Sequence, residues 1–185
     1  MKINLKKIFS LVFVMFFSNK SFTLSVVPDL SDMNISNVTK NNTIELHKAI
    51  NNNSIKDVKE ILDRSNYCLF AYYDGLTALQ RALVFGSSRY DLSIFSMILK
   101  KGEITCCMDG LILKMAILMD NLEVVKMLVE AGAPLNLKYQ DQNIKSSRML
   151  NVYEYAFYNS KVSISYYLKE QYCLRNKLGK ESLTK

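Results

Sequence analysis

The 185-residue chain contains a single histidine, His47, and lacks most of what active sites are assembled from. One imidazole leaves no cluster of mixed metal ligands. There is no Gly-rich phosphate loop, no H-E-x-x-H and no G-x-S-x-G, so the local signatures of phosphate cradling, zinc proteolysis and serine hydrolysis are absent. The expectation is a protein that is not an enzyme, with no cofactor and no metal site. Cysteine adds little. Cys68, Cys106, Cys107 and Cys173 contain no C-x-x-C spacing, and the adjacent pair Cys106-Cys107 is poorly placed to bond to itself. The four are expected as small, mostly buried packing residues, with a single disulfide left open.

An excess of charge in the body of the chain is also missing. The formal net charge is +7, but Lys2, Lys6, Lys7 and Lys20 carry four of those charges. From Val26 to Leu168 the 15 basic and 15 acidic residues cancel. The remaining +3 lies between Lys169 and Lys185, a short basic tail expected to be solvated. A nucleic-acid partner is therefore not expected. Nor is there an apolar run of the roughly 20 residues that a bilayer-spanning helix requires. The longest begins at Ile8 and ends at Phe17, behind a positive start, which suits the h-region of a signal peptide. No A-x-A marks its cleavage, and Thr23-Leu24-Ser25 is the nearest small-x-small triplet. Residues 1–25 are thus expected as an export signal, and residues 26–40, rich in Ser, Asn and Asp, as a flexible spacer. The excess of Lys over Arg is what A/T-rich codons supply and suggests a bacterial origin.

A repeated unit is what the chain does possess. In its clearest copy, from Asp109 to Asn136, Met115, Ala116 and Met119 share one side of a short helix. After the polar break Asp120-Asn121, the residues Leu122, Val125, Leu128 and Val129 come at the spacing of a second amphipathic helix. Gly132 ends it and Pro134 prevents a restart. Helices of about ten residues are not stable alone in water, so the hairpin needs neighbours. They are found by using the small residue of the first helix as a ruler: Ala49, Ala82, Ala116 and Ala156 lie 33, 34 and 40 residues apart.

The second copy reads DGLTALQRAL from Asp74 to Leu83, and the first keeps Leu46-His47-Lys48-Ala49. Together with the second helix of the third copy, Glu123 to Ala133, these stretches resemble ankyrin repeats, whose unit is about 33 residues. Thr77 stands in the family's capping position, Ala78 where proline is usual, and Gln80 where histidine is usual. The resemblance implies an all-α, ankyrin-like solenoid of stacked helix-turn-helix repeats over residues 41–172, with a tail over residues 173–185. In that family the histidine ties a turn to its neighbour, which is the role implied for His47. Two departures are expected on the surface: an insertion around Gly86-Ser87-Ser88-Arg89 and a polar loop from Lys138 to Arg148. Asp74-Gly75 and Asp109-Gly110 recur as turn dipeptides.

The function implied by the resemblance is binding. Partners of such stacks are held by the turn tips and the exposed side of each first helix, which form a concave face. The family's pattern projects Tyr72, Tyr73 and Asp74 onto one tip, Met108 and Asp109 onto the next, and Arg81, Phe85, Met115, Met119, Tyr155 and Tyr158 along the helices. Tyr, Met and Arg are enriched in protein interfaces. Packing between repeats is the competing role for several of these residues, chiefly Phe85, Met115 and Met119. The resulting expectation is an exported, periplasmic or secreted, monomeric module that binds a protein partner. The alternatives are a membrane-tethered form held by an uncleaved N-terminus, and a thiol-redox protein.

Overall fold

Three turns of the chain share one backbone geometry, and each is anchored on a ruler alanine. The carbonyls of Ala49, Ala116 and Ala156 accept from the N–H groups of Ser54, Asn121 and Lys161 at 3.0, 3.1 and 2.9 Å. In each turn the residue before that donor, Asn53, Asp120 or Ser160, has φ between 55° and 60°. A left-handed residue with a bond back across five residues is the Schellman way of ending a helix, and the short polar residues found there tolerate it better than bulky ones. In the computed structural model, residues 29–64, 66–89, 91–102, 109–140 and 149–181 are described. Met108 and the export-signal segment lie outside them.

Four helical hairpins result. The first pairs α1 (Asn37–Asn51) with α2 (Ile55–Asp63), the second α3 (Ala78–Arg89) with α4 (Ser93–Lys101). The third pairs α5 (Asp109–Leu118) with α6 (Leu122–Glu130), and the fourth α7 (Val152–Tyr158) with α8 (Val162–Glu181). Their starts are written locally. Ser36 accepts from Thr39 N–H, Ser54 from Asp57 N–H and Asn121 from Val124 N–H. Thr77 and Gln80 cap each other's backbone N–H groups at 3.0 and 3.3 Å, and Asn151 and Glu154 do the same. These are capping boxes, each satisfying two donors that a helix start would otherwise leave orphaned. Gly132, with φ of 98°, ends the third hairpin as its position suggested.

The chain is mostly helical, and the hairpins pack in sequence. Helix α1 touches α3, α3 touches α5 and α5 touches α7, while α2 meets α4 and α6 meets α8. One hydrophobic core runs through all four, from Leu46 and Val58 through Phe95 and Leu113 to Leu128 and Leu168.

Five local expectations are corrected. Helix α1 begins at Asn37, inside the expected spacer, and Leu30 is buried with its N–H donating to the Tyr72 carbonyl at 2.9 Å. The insertion after Gly86 is not a loop between helices; it extends α3 to Arg89. Gly110 is not a turn glycine but lies in α5, where a Cβ would come 2.9 Å from the Leu137 side chain. The ends of the polar loop pair as antiparallel strands, β1 (Lys138–Gln140) with β2 (Met149–Asn151), Tyr139 opposite Leu150. The tail continues α8 as far as Glu181. Its Arg175 donates to the carbonyls of Ala133 and Val129, so the guanidinium covers the open end of α6. Among the described residues, no helix is long and apolar enough to cross a membrane.

Candidate protein-binding tip

The dipeptide Asp74-Gly75 makes a two-residue bend. Tyr73 and Leu76 exchange backbone hydrogen bonds at 3.1 and 3.4 Å across it, with φ of 54° at Asp74 and 74° at Gly75. Two consecutive positive φ values define the primed hairpin turn, and Asp-Gly is among the few pairs that adopt it cheaply. Behind the turn lies Arg81 of α3, almost fully buried. Its guanidinium donates to the Tyr73 carbonyl at 2.6 Å and to Asn51 Oδ1 at 3.1 Å. It also stands 3.8 Å from Asp74 Oδ2 and 5.8 Å from the centroid of the Tyr73 ring. Burial pulls the Arg81 pKa below its ordinary value and Asp74 works against the shift, but a guanidinium stays charged at any physiological pH. A buried cation with this many acceptors holds a backbone in place, because releasing any one of them leaves charge under-solvated.

His47 of α1 completes the support. Its ring centroid lies 5.2 Å from that of Tyr73, the side chain is fully buried, and among the described residues neither ring nitrogen has a hydrogen-bond partner. Burial, and secondarily the Arg81 charge, push its pKa down to about 3, so the imidazole is neutral. It meets Tyr73 of the neighbouring turn through ring packing. The tip also leans on the segment before α1, since Asp29 and Tyr72 form a parallel bridge. The Tyr73 ring thus lies near both His47 and Arg81; Tyr72 and Tyr73 are both half-buried and Asp74 is exposed.

The structure separates the other candidate residues. Arg81, Phe85, Met115 and Tyr155 are buried and present little surface to a partner. Three of them share a cause: each immediately precedes a ruler alanine, the position that points toward the preceding hairpin. Arg81 reaches back to Asn51, and Lys114 of α5 lies 5.3 Å from the Tyr155 ring centroid. Met119 is half-buried against the core. Tyr158 is exposed and stands edge-on to Phe157 in the fourth hairpin, with centroids 6.3 Å apart. Asp109 opens α5, but its side chain, like the whole of Met108, falls outside the described residues. Tyr72, Tyr73 and Asp74 are therefore the candidates the fold brings together. The supports Asn51, His47 and Leu30 were not among the expected site residues. A shared offset from the ruler alanines is the signal that would have separated inter-hairpin from surface positions.

The described cysteines also depart from expectation: Cys68 is half-buried and Cys173 exposed, both as free thiols, while Cys106 and Cys107 lie outside the described residues. Among the described residues no three His, Cys, Asp or Glu side chains are grouped so as to hold a metal ion. No protein-family model matches the chain, and no curated protein matches it.

Proposed function

We propose that the chain is a non-catalytic protein-binding module: an exported, ankyrin-like stack of four helix-turn-helix repeats that engages a protein partner through the Tyr72–Gly75 tip. The Schellman turn recurring at a constant offset from Ala49, Ala116 and Ala156 supports the stack, as does the packing of each first helix on the next. The observation that carries the binding reading is the rigid tip. A turn held by Arg81 and backed by His47 presents Tyr72 and Asp74 with little conformational freedom left to lose on association. Fold-level analogy supplies the rest of the argument.

Capture of the partner from the native organism with the mature chain, and then calorimetric titration, tests this reading. Tyr72→Ser should weaken the captured complex roughly thirtyfold, the effect of losing an anchor of about 2 kcal/mol. The melting temperature should move little. Undiminished affinity would remove the tip from the interface. Tyr73→Ser is the contrasting variant, because its ring packs near His47 and the Arg81 guanidinium and its loss should act on stability.

A further inference from the structure

Five Asn-x-Ser/Thr triplets, the acceptor pattern for N-linked sugars, begin at Asn19, Asn34, Asn37, Asn41 and Asn52. Asn19 falls in the expected export signal. In three of the others the fold has already committed the residues. Asn37-Val38-Thr39 is the first turn of α1, where Thr39 N–H donates to the Ser36 hydroxyl. Asn41 lies inside α1, and the Thr43 hydroxyl of its triplet is buried, donating to the Thr39 carbonyl at 2.7 Å and accepting from Cys68 N–H at 3.0 Å. Asn52-Asn53-Ser54 is the turn from α1 to α2, with Asn53 left-handed and Ser54 capping α2. Asn34-Ile35-Ser36 differs. It lies outside helix and strand, between the bridge at Asp29 and the start of α1, and both Asn34 and Ser36 are exposed. It alone of the five has a carboxylate two residues before its asparagine: Asp32, also exposed, where the others have Phe17, Ile35, Thr39 and Ile50.

We propose that Asp32-Met33-Asn34-Ile35-Ser36 is a glycosylation site, with Asn34 as the acceptor, Ser36 as the hydroxyl that the transferase grips and Asp32 as the carboxylate that it reads. The proposal rests on the export reading, because transferases of this class act on chains that have crossed the membrane. In the transfer, Asn34 Nδ2 attacks the anomeric carbon of an oligosaccharide carried on a polyprenyl diphosphate. The carbon–nitrogen bond forms as the carbon–oxygen bond to the diphosphate breaks; Nδ2 releases one proton to a carboxylate of the transferase, and the lipid diphosphate leaves. An amide nitrogen is a weak nucleophile while its lone pair is delocalised into the carbonyl, so the side chain must be drawn out of the chain and turned. A helix resists the backbone bend this requires. Here binding has little to displace: the 3.0 Å bond from Ile35 N–H to the Met33 carbonyl and the cap that Ser36 places on α1. Asp32 adds a charge-assisted contact for a cationic side chain of the transferase, which none of the other four triplets can offer at that offset. A carboxylate at that offset is what bacterial transferases of this class require, in keeping with the origin suggested by the lysine excess.

Mass spectrometry of the full chain isolated from the native organism reads this directly. The tryptic peptide that ends at Lys40 holds both Asn34 and Asn37, and electron-transfer fragmentation separates the two. The expected result is a saccharide on Asn34, lost in Asp32→Asn and in Ser36→Ala and kept in Asn37→Gln and Asn52→Gln. Ser36→Thr, which still caps α1 and still offers a hydroxyl, should keep it too, so that loss in Ser36→Ala is not the loss of a helix cap. Unmodified Asn34 on an exported chain would overturn the proposal and leave the export and binding readings standing. A saccharide on Asn37 or Asn52 in its place, or one undiminished in Asp32→Asn, would overturn it as well. A chain that keeps residues 1–25 and stays on the cytoplasmic side would instead refute the export reading, and the proposal with it. None of these outcomes bears on the Tyr72 tip.

Discussion

Acidification offers a direct test of how the tip is built, because the only histidine in the chain is buried beneath it. In the unfolded chain the imidazole takes a proton near its ordinary 6.5, while in the folded protein it stays neutral down to about 3. Between those values the unfolded state binds more protons than the folded one, so stability falls as the pH drops from 6.5 toward 3. For a single group the loss is at most about 1.4 kcal/mol per pH unit, and from about pH 7.5 to about pH 5 it integrates to about 2 kcal/mol. The figure depends only weakly on the folded-state value so long as that value lies well below the lower pH. Protonation would also set a second cation beside the Arg81 guanidinium, whose acceptors Tyr73 and Asn51 are already engaged. Urea unfolding at the two pH values, monitored by far-ultraviolet circular dichroism, measures the difference as a shift in midpoint at constant slope. His47→Gln, which places in α1 the residue that α3 carries at the equivalent Gln80, should abolish most of the shift. Equal midpoints at the two pH values, or a shift of full size in His47→Gln, would refute the argument that a neutral, buried imidazole supports the tip.

Leu128 of α6 is fully buried, and Leu128→Ala should cost about 2 to 5 kcal/mol through lost burial and a residual cavity. Thermal melts should show the loss as a large drop in midpoint; an unchanged midpoint would contradict the packing of α6. Arg175→Met keeps the aliphatic stem but uncovers the Ala133 and Val129 carbonyls, and should cost about 1 kcal/mol given how exposed the residue is. Hydrogen exchange should then quicken at the C-terminal end of α6, and exchange that instead quickens only in α8 would locate the role of Arg175 elsewhere.

Local chemistry was readable from the sequence wherever a residue type leaves few options. Asp74-Gly75 dictates its turn, Gly132 its helix end, and Thr77 with Gln80 a helix start, because each depends on groups within a few residues of one another. The helical content and the recurrence of the hairpins came from apolar periodicity and the ruler alanines, three of whose carbonyls then proved to anchor turns. Residues whose setting depends on a neighbouring hairpin were another matter. Arg81 and Tyr155 have interface side chains by type, yet both are buried, because the position before a ruler alanine points at the preceding hairpin. Gly110 belongs to the same class, since what it makes room for is Leu137, from the far side of α6. Arg175 had no local reason to be anything but a solvated tail residue until α8 laid it against the end of α6. Tertiary packing alone decided which of the repeated positions are covered and which, like Phe157, are left open, because burial at each depends on whether a neighbouring hairpin lies against it and not on the residue itself.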